Sequence, residues 1–154
     1  MSEPFYRARS EVEIVRGVHR RATLSTGTTF EFGVHAPVKR HFGLDAEPDL
    51  PLPVDYIVAA TGGWMLGTLN GAFAVRNVHL EPGAIRAIAE GINEVRDGVP
   101  VLTRIHVHYT LRIPPGTREA VERALSRHKD KCPTACSLRG AVEVDWSADI
   151  EESG

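Results

Sequence analysis

The segment 54–75 constrains the fold more than any other part of the chain, because apolar or small residues occupy nearly every side of a helix over these positions. A helix that is apolar all round belongs in a buried position, since it offers water no polar face. It also contains four glycines, Gly62, Gly63, Gly67 and Gly71. Each lowers helix propensity by about 1 kcal/mol relative to alanine, a cost that close approach of a neighbouring backbone can offset. We therefore predict a buried central helix with another element packed tightly against it.

The N-terminal third of the chain is dominated by strand patterns. Residues 11–34 alternate apolar and polar side chains as in two or three antiparallel strands, with the polar stretch Ser25–Thr28 before the last strand. Residues 35–53 hold four prolines and no sustained period. This composition predicts a long connection between the first sheet and the central helix, of the kind that often lines a site.

The clearest strand covers residues 101–113. Its odd-numbered residues, from Val101 to Ile113, are mostly apolar and share one face, so that face should be buried and the opposite face wetter. A preceding strand at 84–95 is predicted to end at the turn Arg96–Gly98. The wetter face of the long strand would carry Leu102, Arg104, His106, His108, Thr110 and Arg112.

The C-terminal part is predicted to form a second helix, a helical turn and a last strand. Thr117 is a fair N-cap for a helix that ends near Asp130. Proline is favoured at the first helical position, so Pro133 predicts a short helical turn from residue 132 to Leu138, which Gly140 stops. Residues 141–146 then read as the closing strand.

The length and composition of the chain are typical of one soluble domain. A length of 154 residues with 42% hydrophobic and 25% charged side chains predicts a single domain, residues 1–154, around one core. Eighteen basic and 20 acidic side chains give a net charge of −2, which argues against nucleic acid as a partner. The start Met1–Phe5 lacks the order of a signal peptide, and no long apolar run suggests a membrane, so we expect a cytoplasmic protein.

Two cysteines, Cys132 and Cys136, lie four residues apart. Two are too few for a disulfide framework, and in a reducing cytosol this spacing favours a redox, ligand or core role over a structural disulfide. A position four residues along a helix is also poor disulfide geometry.

Two motifs carry a resemblance to a known family: Pro53–Trp64 (PVDYIVAATGGW) and Lys131–Leu138 (KCPTACSL). Together with the order of elements, they make nearly the whole chain similar to the OsmC and organic hydroperoxide resistance proteins. The resemblance implies an α+β fold with antiparallel sheets wrapped around central helices in an intertwined homodimer. It also implies thiol chemistry without a cofactor, in which a small organic hydroperoxide is reduced and a dithiol reductant restores the thiols.

The resemblance assigns roles to individual residues. The resolving cysteine of the family falls on Cys132, whereas the peroxidatic position falls on Trp64. Arg40 is the best match for the arginine that holds the family's thiolate, and Asp55 stands near the carboxylate that orients that arginine, although it is shorter than the usual glutamate. Peroxide reduction needs a thiolate beside a cationic group, and an indole provides neither. Peroxidase activity is therefore expected to be altered or lost.

Several alternatives stay open. Cys132, at a helix N-terminus, is either a reactive thiol or an inherited half-buried one, and Cys136 could replace the lost redox partner. Trp64 either fills the core where the peroxide pocket would be, the interpretation we favour, or forms an aromatic wall for a small apolar ligand beside Phe42 and Tyr56.

The strand pair His106 and His108 could hold a metal with a third ligand, but an exposed polar face explains them more simply, and no metal is expected.

Two functions follow from these alternatives. The first is an OsmC-like relative of the thiol-dependent peroxidases, whose remaining chemistry would involve Cys132 and Cys136. The second is a non-catalytic protein that binds a small hydrophobic ligand on the same scaffold, in a cavity between Trp64, Tyr56, Phe42 and Cys132.

Overall fold

The computed structural model describes residues 3–154, so the first two residues of the predicted domain and of the N-terminal segment Met1–Phe5 lie outside the described part. The chain forms two compact units, Met1–Tyr56 and Ile57–Gly154, and the boundary falls within a long helix. The elements in chain order are β1 (Ser10–Arg16), β2 (His19–Leu24), β3 (Thr29–Phe32), α1 (Val38–His41), α2 (Pro53–Ala74), β4 (Ile85–Arg96), β5 (Val99–Ile113), α3 (Arg118–Lys131), α4 (Pro133–Leu138) and β6 (Glu143–Glu152).

The first unit contains the antiparallel meander that the sequence predicts. Its three strands pair in the order β1-β2-β3, and both pairings are antiparallel. The predicted connection after β3 contains the short helix α1 and returns beside the sheet, where Val34 and Asp49 form an isolated parallel bridge. Gly33 lies so close to Leu50 that a side chain at this position would meet the Leu50 Cβ at 2.6 Å. The connection is therefore packed against the sheet.

The second unit contains a mixed sheet of order β4-β5-β6. Strands β4 and β5 form a long hairpin whose two turn residues, Asp97 and Gly98, both have positive φ, the conformation that matches the twist of a two-residue hairpin. Strand β6 is longer than predicted and pairs parallel to β5. The prediction of purely antiparallel sheets is therefore wrong for this sheet. The physical reason is that α3 and α4 form a crossover connection, which returns the chain in the direction of β5.

A β-bulge near the hairpin end changes one predicted side-chain direction. Ile92 pairs with Arg104 but Asn93 pairs with Leu102, so Thr103 is the extra residue of β5. Because a bulge interrupts the alternation, Leu102 joins the hydrophobic core instead of the wetter face to which the pattern assigned it. Beyond the bulge the alternation from Ile105 to Ile113 is as predicted, with the odd-numbered residues buried.

The core of the second unit lies between the sheet and helices α2 and α3. Helix α2 contributes Met65, Leu69 and Phe73, each fully buried, and each such side chain stabilises the fold by about 1.5–3 kcal/mol. Helix α2 approaches β4 closely, since a Cβ added at Gly62 would meet the Ala89 Cβ at 2.7 Å and one at Gly91 would meet Val58 Cγ2 at 2.4 Å. The predicted tight packing is therefore present.

The opposite side of α2 is not covered by its own unit. Ile57 and Trp64 are exposed by 44% and 55%, and Val75 at the end of the helix by 79%. A Cβ added at Gly63, Gly67 or Gly71 would meet nothing within 4 Å. The prediction of a helix buried on all sides is thus not met by the single chain, because only one of its two apolar faces packs on the sheet.

The predicted start of α3 needs one correction. Thr117 stands at the N-cap, but its hydroxyl donates a hydrogen bond to the Pro114 carbonyl and does not cap the helix. The stripe of α3 is buried as predicted at Val121, Ala124 and Leu125. Among residues 3–154, no helix combines the length and the apolar character that crossing a membrane requires.

The two adjacent glycines of α2 provide a matched test of this packing. Gly62→Ala and Gly63→Ala gain the same helix propensity, but only the first brings a methyl group into Ala89. We expect the free energy of unfolding of Gly62→Ala to be lower than that of Gly63→Ala by about 1–3 kcal/mol. Urea unfolding of both variants at one protein concentration measures the difference, and equal stabilities would contradict the close approach.

Candidate functional site

Cys132 is the N-cap of α4, directly before Pro133, which is the position that the sequence predicts. Its side chain is fully buried in the core of the second unit and is not half-exposed. Tyr109 belongs to the same core cluster, and its pKa is raised first by burial and second by the charge that Cys132 would carry. A hydroperoxide from solvent therefore reaches this sulfur only if the core opens.

Tyr109 and His128 are two buried polar side chains of the same unit. The Nδ1–H of His128 donates to the Leu125 carbonyl at 2.7 Å, so its Nε2 is an acceptor and receives the Tyr109 hydroxyl at 2.9 Å. Burial lowers the pKa of His128, which favours the neutral ring. Tyr109 and His128 therefore satisfy each other. Within residues 3–154, the sulfur of Cys132 is not bonded to a cationic side chain of the kind that would stabilise a thiolate.

Cys136 lies one helical turn further on and is exposed. Its thiol donates to the Asp130 carbonyl at 3.4 Å, and the Arg139 guanidinium approaches the sulfur at 3.9 Å. Arg139 also forms an ion pair with the Asp130 carboxylate at 3.6 Å. Both cysteines are free thiols, one in the core and one at the surface. The structure therefore does not bring the two sulfurs together as a disulfide.

Trp64 lies in the middle of α2 on the uncovered side of the helix. Its exposure of 55% means that the interpretation as a core-filling side chain is wrong for the single chain. The reason is its place on the helix, since Met65 and Leu69, and not Trp64, face the sheet.

Arg40 and Phe42 lie at α1 in the first unit, and both are exposed. The Phe42 ring packs edge-on against the neighbouring His41 ring, with 4.8 Å between their centroids. Tyr56 belongs to an aromatic cluster of the same unit, in which its ring contacts Phe30 and Phe32 and its hydroxyl donates to the Glu31 carbonyl at 2.6 Å. Tyr56 thus anchors the first turn of α2 to β3.

Asp55 has partners that the sequence did not predict. Its carboxylate accepts the backbone N–H of Leu52 at 2.7 Å and the Nε2–H of His35 at 2.8 Å, and it is not paired with Arg40. The Nδ1–H of His35 donates to the Ala36 carbonyl at 2.9 Å. With acceptors at both ring nitrogens, the cationic ring is favoured, and the pKa of His35 is raised, first by Ala36 and then by Asp55. His35 carried no periodic signal, so only the fold reveals this pair.

The outer face of the second sheet carries a row of bonded polar residues. His106 contacts Asp145 and Ser147, and His108 contacts Ser147 and Asp149. Every ring nitrogen of the two histidines is thus engaged. Across residues 3–154, no three histidine, cysteine or carboxylate side chains cluster in a way that could hold a metal ion.

Two grooves lie on the second unit. One of about 380 Å³ is lined by Lys129, Asp130, Arg139 and neighbouring residues of α4 and β6. The other, of about 270 Å³, is lined by side chains that include Arg104 and Glu143. Neither is lined by Trp64 or Cys132, so neither matches the cavity that ligand binding beside those residues would need.

Comparison with known proteins gives a consistent result for sequence and structure. The family model described as OsmC-like protein matches residues 46–147. No curated protein matches the chain in sequence.

Solved structures of this family are similar to nearly the whole chain. An OsmC-like protein from Vibrio cholerae has a TM-score of 0.78 at 13% identity, covering 94% of this chain and 100% of that one. An OsmC-like protein from Mycoplasma pneumoniae has a TM-score of 0.76 at 10% identity, covering 96% and 99%. An organic hydroperoxide resistance protein from Legionella pneumophila has a TM-score of 0.71 at 15% identity, covering 96% and 100%. At these identities the likeness concerns the fold, and the predicted α+β class is confirmed, with two small sheets and helices that match these structures.

The His35–Asp55 pair predicts a pH dependence for the first unit. Because the pKa of His35 is raised in the folded chain, its contribution to stability is complete below the unfolded value of 6.5 and is lost as pH rises through the folded pKa. Asp55→Asn should lower the pKa of His35 toward 6.5. Part of the rise should remain, because the hydrogen bond to the Ala36 carbonyl is kept. NMR titration of the His35 ring measures this. Asp49→Asn is the control, since Asp49 is the smallest contributor, and an unchanged titration in Asp55→Asn would contradict the pairing.

Proposed function

Because this chain belongs to the OsmC-like protein family, we propose that it is a relative of the thiol-dependent hydroperoxide peroxidases in which that activity has been altered or lost. The observation that carries the proposal is the absence of an accessible thiol pair. Trp64 stands where the resemblance assigns the attacking cysteine, Cys132 is fully buried, and Cys136 is exposed and free. The chain thus lacks the two adjacent sulfurs with which a peroxidase would reduce a small organic hydroperoxide and then react with a dithiol reductant.

The surroundings of Cys132 support the loss of activity. A thiol attacks a peroxide as the thiolate, which requires a nearby positive charge and access from solvent. Cys132 lies in an apolar core cluster whose member Tyr109 has its phenol bonded to a neutral His128. The Arg139 guanidinium is a cation near a cysteine, but the sulfur that it approaches is that of Cys136. Any remaining thiol chemistry is therefore expected at Cys136.

We further propose that two copies of the chain associate through the uncovered side of α2. Ile57, Trp64 and Val75 are exposed there, and Gly67 and Gly71 leave open space beside them. On a helix these positions fall within one face, opposite the side that packs on the sheet. An exposed apolar helix face of this kind marks a binding surface, and a second copy presents the same apolar face.

A peroxide-consumption assay tests the first proposal. The fully reduced protein is supplied with an organic hydroperoxide and a dithiol reductant, and the wild type is compared with Cys132→Ser, Cys136→Ser and Trp64→Cys. We expect wild-type turnover no faster than the reaction without protein, and turnover about 10²-fold or more above that rate in Trp64→Cys, the scale of one positioned catalytic group. That gain would leave the binding of a small hydrophobic ligand as the function to examine in the natural chain. Wild-type turnover that Cys132→Ser abolishes would overturn the proposal.

Sedimentation or light scattering tests the association. The wild type should have twice the 16.9 kDa mass of the chain. Trp64→Glu should have the single mass, because it places a charge in the apolar contact. Ser126→Glu, on the exposed side of α3, is the control and should remain a dimer, with circular dichroism reporting that each variant is folded. A wild type of single mass at micromolar concentration would contradict the proposed contact.

A further inference from the structure

Beyond the thiols, the structure assembles a hydroxyl between two histidines on the outer face of the second sheet. Strands β5 and β6 are paired in parallel there, with His106 opposite Asp145 and His108 opposite Ser147. The Ser147 Oγ lies 2.8 Å from His106 Nε2 and 2.7 Å from His108 Nδ1. All these side chains are at least partly exposed, so a solute can reach them.

A carboxylate holds the far nitrogen of each imidazole. His106 Nδ1 bonds the Asp145 carboxylate, and His108 Nε2 bonds the Asp149 carboxylate at 3.0 Å. The result is a continuous row: carboxylate, imidazole, hydroxyl, imidazole, carboxylate. A nucleophile bonded to a base, which a third group orients, is the arrangement of hydrolases that use a serine, and it is recognised by its geometry and not by its place in the sequence.

The protons along the row determine how Ser147 is polarised. Ionised carboxylates only accept hydrogen bonds, so both far nitrogens must carry protons. If both rings are neutral, both near nitrogens are bare, and the single proton of Ser147 can satisfy only one of them. All contacts are satisfied when the two rings together carry three protons. Ser147 then donates to the neutral ring and accepts from the cationic ring.

We propose that Ser147 is an activated nucleophile toward the carbonyl group of small esters, with the neutral histidine as base and its carboxylate as the positioning residue. The Ser147 Oγ bonds to the carbonyl carbon while its proton passes to the neutral imidazole. The bond to the leaving alcohol then breaks, and the alcohol takes that proton. Water repeats the two steps on the acyl-serine, releases the carboxylic acid and restores the hydroxyl.

The neighbouring side chains indicate the class of substrate. On β4, Glu90 pairs with His106 and Ile88 pairs with His108, and Ile88 is 54% exposed. One pair further along, Ile92 lies opposite Arg104, which bonds Glu143 at 3.4 Å beside the groove of about 270 Å³. The exposed isoleucines offer contact to a short apolar acyl group, and the groove offers charged partners to a polar leaving group.

The other charged groups on this face are placed along the same strands. Thr110 follows His108 on β5, with Arg86 opposite on β4, while Arg112 and Glu151 pair at the far end. Glu90, which pairs with His106 on β4, is a further carboxylate on this face.

Covalent labelling tests the proposal. Protein carrying Cys136→Ser, which removes the exposed thiol, is treated with an alkyl fluorophosphonate at neutral pH, and labelled peptides are identified by mass spectrometry. We expect label on Ser147, and a labelling rate about tenfold or more above that of Ser126, whose hydroxyl donates to a backbone carbonyl. Hydrolysis of p-nitrophenyl acetate should likewise depend on Ser147 more than on Ser126.

Variants distinguish an activated hydroxyl from one that is only exposed to solvent. Ser147→Ala should remove the label, and the double variant His106→Gln with His108→Gln should reduce labelling of Ser147 to the level of Ser126. Ser126→Ala is the matched control and should leave Ser147 labelling unchanged, with thermal unfolding reporting that each protein is folded. Equal labelling of Ser147 and Ser126, or labelling of Ser147 that survives loss of both histidines, would overturn the proposal. Neither result depends on the thiols of the proposed function.

Discussion

The close packing of α2 on the hairpin β4–β5 is the contact on which the second unit depends. Gly62 lets the helix approach Ala89, and Gly91 makes room for Val58, so the two surfaces fit because each provides a glycine where the other provides a methyl group. This fit places Met65, Leu69 and Phe73 in the core and fixes the rotation of the helix about its axis. The same rotation turns Trp64 outward. The exposed indole is therefore a consequence of core packing and not an independent feature.

The two cysteines differ in solvent exposure although they are four residues apart. Pro133 begins α4 and sets Cys132 at its N-cap, pointing into the core, while Cys136 on the next turn faces solvent. Local sequence thus placed both residues in or beside the same short helix, but tertiary packing decided which thiol is buried in the core and which faces solvent.

The sequence predicted the elements well, because each had its own local signal. Periodicity identified the first meander, the long helix and the strand from Ile105 to Ile113, and Pro133 identified the Cys-Pro turn. The direction of β6 was not predictable in this way, since a strand pattern reads the same in parallel and antiparallel pairing. The bulge at Thr103 had no glycine to signal it. The pairs His35–Asp55 and Tyr109–His128 join residues distant in sequence, so they arise only from the tertiary fold.

The parallel pairing of β6 also sets an order of assembly. The hairpin β4–β5 closes over a two-residue turn, whereas Arg104 and Glu143 meet across 39 residues. Contacts between distant residues form late in folding because the entropy of closing the loop must be lost first. The hairpin should therefore exist before β6 docks. A nascent or partly unfolded chain would hold His106 and His108 on an open strand edge, without Ser147 between them, and that unpaired edge is where such a chain would associate with others.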